Sequence, residues 1–175
     1  MLRRALAGVV LLCLLASCWF DASARVQRRG ARGGRPRLAK VCGDPTVPCR
    51  TVFTFQPYDL PFRVATNAVI DETESFYAVI LKSVRPRDLY DCETFVSESE
   101  RLAAQALFPR HKVFASRCYE AGELYYEGVA EDRRFMAVYA GLTRAEAART
   151  LARVRATGKF PGANLRRLRA GVNGT

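Results

Sequence analysis

A four-stranded antiparallel sheet with two helices on one face, an α+β fold, is what this sequence predicts, on three observations. Two continuous β-branched and aromatic runs, Phe76 to Val84 and Phe135 to Ala140, read as central strands. Two capping-box patterns, Ser97-Glu98-Ser99-Glu100 and Thr143-Arg144-Ala145-Glu146, each open a stretch with apolar residues at helical spacing. The elements then follow one another as strand, helix, strand, strand, helix, strand.

Before the first strand comes an N-terminal extended segment, residues 41–74. Cys42 and Cys49 bracket a turn-rich loop, and Thr51 to Ile70 is rich in Phe and Val but interrupted by Pro57 and Pro61, so it packs on the domain rather than forming one. After Phe76 to Val84, the first helix carries Leu102, Ala103, Ala106 and Leu107 and stops at Pro109. Lys112 to Tyr119 is the second strand, and Leu124 to Val129 a short strand or hairpin arm. Phe135 to Ala140 is followed by a helix bearing Ala145, Ala148, Leu151, Ala152 and Val154, closed by Gly158. A turn at Phe160 to Ala163 leads into a basic last strand, Asn164 to Arg169. Right-handed crossovers make this order a split βαβ sandwich, the βαββαβ or RNP/ferredoxin-like arrangement.

The N-terminus addresses the chain to an exported compartment. Arg3 and Arg4 precede an apolar stretch, Ala5 to Ala16, too short for the roughly 20 residues of a spanning helix. Leu15-Ala16-Ser17-Cys18 is similar to the bacterial lipobox, which makes residues 1–17 a lipoprotein signal peptide and Cys18 the lipidation site. Ordinary cleavage after Ala22-Ser23-Ala24 is the other reading. Of the net charge of +11, Arg3 and Arg4 carry +2 and residues 18–40 carry +6, with seven basic residues against Asp21; residues 41–175 carry the remaining +3. The basic tract, 18–40, is an arm with too little apolar content to fold, placed to lie against anionic headgroups or cell-wall polymer, or to act as a self-repelling spacer. Export argues against nucleic acid as a partner. It also means that Cys42, Cys49, Cys92 and Cys118 form two disulfides, with three connectivities open. In the usual 4-1-3-2 strand order the start of the first helix and the end of the second strand share one end of the sheet, which predicts Cys92–Cys118 and Cys42–Cys49.

Tyr77 to Val84, with Val79, Leu81, Ser83 and Val84 in matching places, resembles the first strand of the SPOR (sporulation-related repeat) domain. Val138-Tyr139-Ala140-Gly141-Leu142-Thr143-Arg144-Ala145-Glu146-Ala147 resembles its second signature, a strand running into a Glu-Ala-rich helix, and Phe160-Pro161-Gly162-Ala163 sits where the family often turns. The likeness covers Ser75 to Arg169, within a domain of residues 75–170. Ile80 stands where the family often has Gln, and Lys82 where it has Gly.

What the resemblance implies is binding of peptidoglycan glycan strands on the open sheet face. Alternation turns Val79, Leu81, Met136, Val138 and Ala140 towards the helices, and Ile80, Lys82, Phe135, Ala137 and Tyr139 outward as the expected glycan platform. Burial of this face under Asp59 to Ile70 is the competing expectation. Arg166, Arg167 and Arg169 read as a basic edge that resists strand pairing rather than as a polyanion contact. Catalysis is not expected: the chain has one histidine, His111, no G-x-S-x-G and no metal-ligand pair, and no cofactor or metal is implied. The RNP1 pattern of RNA-binding modules with the same topology is missing. The sequence therefore predicts a non-catalytic, disulfide-bonded lipoprotein, periplasmic or otherwise extracytoplasmic, held to the membrane through an N-terminal lipid. Its partner is cell-wall glycan or, alternatively, an envelope protein that it serves as adaptor or inhibitor through the sheet face.

Overall fold

The computed structural model describes residues 38–88, 90–118 and 124–173. The expected signal peptide, Cys18 and most of the basic arm lie outside the described residues, as does Tyr119 at the expected end of the second strand. Among the described residues six strands are found rather than four: β1 (Ile70–Glu72), β2 (Phe76–Val84), β3 (Val113–Ala115), β4 (Leu124–Glu127), β5 (Arg134–Gly141) and β6 (Asn164–Asn173). They form one curled antiparallel sheet in the order β1-β6-β2-β5-β3, with β4 also paired to β6. The two additional strands exist because β6 is ten residues long. Its first half, Asn164 to Leu168, pairs with β2. Its second half overshoots β2 and takes β1 along one edge and β4 along the other, so that its backbone groups find partners where β2 has ended.

Helix α1 (Glu98–Leu107) packs on β3, and α2 (Arg144–Ala156) on β5, β2 and β6. Both start at the expected caps. Ser97 accepts from the Glu100 amide, and around α2 the box is reciprocal, with the Thr143 hydroxyl on the Glu146 amide and the Glu146 carboxylate on the Thr143 amide. The inward face of α1 differs from the expected one. Arg101 and Ala104 are buried while Leu102 and Leu107 are exposed. The cause is a charge network: Arg101 grips Glu98 through Nε (2.9 Å) and Nη2 (2.7 Å) and donates from Nη1 to the Val113 carbonyl at 2.8 Å. With every polar edge satisfied, the guanidinium occupies a place that the apolar residues would otherwise take.

Two cores result, one on each face of the sheet. The helix-side core is mostly aliphatic and gathers Val79, Leu81, Met136 and Val138 with Ala104, Ala147 and Val154 of the helices. The opposite core is aromatic, built on Phe62, Phe76, Phe114 and Phe135 with Ile80, Ala137 and Leu60. Residues 39–64 form its roof. This segment is stitched down at one side by the Lys112 amide to the Gly43 carbonyl (2.8 Å) and the Ala115 amide to the Tyr58 carbonyl (2.9 Å), and at the other by the Leu60 amide to the Tyr126 hydroxyl (3.2 Å). Disulfides join Cys42 to Cys49 and Cys92 to Cys118. The longer loop of the second makes it worth more on chain-entropy grounds, about 3.5 against about 2.5 kcal/mol.

Candidate functional site

The five residues expected to form an open glycan platform do not form one. Ile80, Phe135 and Ala137 are 8 %, 3 % and 0 % exposed, beneath Leu60 and Phe62 of the roof. Tyr139 is partly buried in the same core, 5.7 Å from the Phe76 ring centroid, and burial pushes its phenol up to about 12. Lys82 is turned to the other side. A register shift between Ile80 and Lys82 leaves Leu81 unpaired and sets Lys82 opposite Met136, and such a bulge reverses the alternation beyond it. Lys82 accordingly forms an ion pair with Glu100 of α1. The roof, rather than Asp59 to Ile70 as a whole, closes the face, since Val69 and Ile70 remain exposed beside and in β1. This face of the sheet is thus covered by the roof.

A concave surface does exist elsewhere, at the end of the sheet where β4, the start of β5 and the chain following β3 meet. It is a cleft of about 780 Å³ whose walls include Tyr90, Arg117, Cys118, Tyr125, Arg133 and Arg134. Hydrogen bonding between Ser116 and Phe135 carries the β3–β5 pairing one step past β3, so Arg117 and Arg134 follow next along the two chains. Both guanidiniums are sunk into the protein. Arg134 is 7 % exposed; its Nη1 reaches only the Glu131 carbonyl at 3.4 Å, and its Nε is shut away with no partner among the described residues. Arg117 lies between two rings, its guanidinium carbon 4.4 Å from the Tyr58 centroid and 4.1 Å from that of Phe95. Its Nη1 donates to the Val96 carbonyl and its Nη2 to Glu98, while Nε has no partner.

The surroundings hold this cleft in shape. Cys118 in its wall is tied to Cys92, and the chain around Cys92 is organised by Asp91. That carboxylate accepts from the amides of Arg87, Glu93 and Thr94, from the Thr94 hydroxyl and from the Arg87 guanidinium. The Arg87 amide and the Thr94 hydroxyl lead in holding the acid far below the usual carboxylate range. Glu98 is likewise held down, chiefly by its hydrogen bonds from Arg101. Tyr125 donates to Glu72 at 3.2 Å, and Tyr90 is 90 % exposed at the rim. None of these residues is marked by a sequence motif. The available signal was the Arg133-Arg134 pair entering a strand that is otherwise apolar.

Among the described residues no group of three or more His, Cys, Asp or Glu could hold a metal ion, and no helix is long and apolar enough to cross a membrane. His111 is engaged structurally, its Nδ1 3.0 Å from the Tyr139 carbonyl. Arg166, Arg167 and Arg169 are exposed on β6, and Arg169 donates to the Ser75 hydroxyl. The two disulfides point to a compartment outside the cytoplasm. No family model, no curated protein and no solved structure matches the chain, so its functional assignment rests on its own residues.

Proposed function

We propose that the chain is an exported, non-catalytic cell-envelope lipoprotein, anchored through Cys18, whose folded module binds cell-wall glycan at the Tyr90–Arg134 cleft rather than on the sheet face. On this reading β2, β3, β5 and β6 with the two helices are a split βαβ unit of SPOR-like type, and β1, β4 and the roof are additions to it. The antiparallel neighbours β6-β2-β5-β3 support this reading, because that succession corresponds to 4-1-3-2 in chain order. The observation that carries the functional reading is a concave, disulfide-braced surface combining tyrosines with arginines, a pairing suited to stacking sugar rings and donating to their oxygens. The basic arm beside the lipid would keep the module near an anionic surface.

The test uses the mature protein, disulfides formed, in detergent, with purified peptidoglycan before and after amidase removal of the stem peptides. Co-sedimentation that strengthens on the stripped glycan is the expected result. Failure to sediment with either form sinks the reading.

A further inference from the structure

We infer that the Arg117–Arg134 end of the cleft is a binding site for a sugar carboxylate. The inference rests on the glycan reading for the sugar and on the two guanidiniums for the acid. Arg134 is a permanent cation, almost wholly removed from water, with no carboxylate within ion-pair distance among the described residues. A buried charge in that state is costly unless something pairs with it. The other buried arginine among the described residues, Arg101, shows how this protein satisfies such a group when it is structural: Glu98 takes it bidentately and a carbonyl takes the remaining edge. Arg134 has one long bond to a carbonyl instead. Arg117, next along the neighbouring chain, uses two of its five N–H donors, on Glu98 and Val96, and its Nε has no partner.

The ligand chemistry follows from the donors. A guanidinium presents its N–H groups as a planar fork matched to a carboxylate. Tyr90 and Tyr125 add flat apolar surface, as a sugar ring requires. Glu127 and Glu131 also border the cleft and are exposed; they can accept from sugar hydroxyls, and they disfavour a long, densely charged polyanion. A single carboxylate on an otherwise neutral saccharide suits both features.

The experiment follows the Nε–H signals of arginine by NMR in the mature, disulfide-bonded protein as N-acetylmuramic acid, glucuronic acid or N-acetylglucosamine is added. The expected result is that Nε–H signals shift with an acidic sugar, at an affinity at least tenfold above that for N-acetylglucosamine. Arg134→Met should lower that affinity at least tenfold, and Tyr90→Ala, at an exposed position, should weaken it several-fold in a folded protein. Equal response to acidic and neutral sugars overturns the inference, as do Nε–H signals unmoved by either acid or an Arg134→Met protein that binds as before. Binding of glucuronic acid alone keeps the carboxylate site and removes the cell-wall source. Sacculus binding that survives Arg134→Met, with no response to either acid, keeps the wall reading and removes the site.

Discussion

Gly43 lies against the Tyr139 ring so closely that an added Cβ would fall inside contact distance of three ring carbons. An aromatic ring held from below by Phe76 cannot swing aside as a flexible chain end would. Gly43→Ala should therefore lift the roof at this point and destabilise the fold by about 1–3 kcal/mol, the usual scale of overpacking, measured by urea denaturation. The tyrosines report the same core by titration. Burial raises the phenols of Tyr139, to about 12, and of Tyr126. A group whose folded value is raised contributes stability that is intact below its unfolded value, roughly 10, and is lost as pH climbs through the folded one. Ultraviolet titration at 295 nm should show these two phenols ionising only in the steep alkaline unfolding step; two tyrosines fewer in that step would contradict the closed face.

At the scale of elements, α1 and β2 separate what sequence patterns reveal from what they hide. The unbroken apolar run of β2 reads as a central strand and also fits burial on both faces, since a strand with one wet face alternates, whereas the resemblance implies an open sheet. The bulge at Leu81 has no local signature, and Lys82 changes sides because of it. In α1 Leu102 and Leu107 point outward because Arg101 is satisfied by partners at Glu98 and Val113, and no helical periodicity registers a buried arginine. This orientation is directly testable. Leu102→Glu should change stability by no more than about 0.5 kcal/mol, whereas Ala104→Glu, which buries a carboxylate beside Val113 and Phe108, should unfold the protein. Equal effects, compared by thermal melts, would place the wrong face inward. The cleft was the least legible part, because its arginines come from the chain after β3 and the start of β5 and acquire meaning only once those are paired.

For the whole molecule, the aromatic core makes the roof indispensable. Residues 41–74 read as a separate segment in sequence, yet Leu60 and Phe62 are completely buried against β2 and β5. Cutting them away would bare Phe76, Phe114 and Phe135 together, an apolar patch of the kind that drives association. A fragment of residues 75–170 should aggregate or remain unfolded, while residues 38–175 should melt in one cooperative transition; size-exclusion chromatography and circular dichroism distinguish the cases. A soluble, folded 75–170 fragment would show that the roof is an accessory.

The place of β6 in this sheet sets a timetable. It touches β1, β2 and β4, and every other described element precedes it in the chain. A chain threaded outward from its N-terminus would therefore deliver the roof, both disulfide partners of each pair and both helices before the strand that joins β1 and β4 to β2. Until then their edges have no mate, and long-range pairing of this kind is slow. Completion of the fold is thus deferred to the arrival of β6.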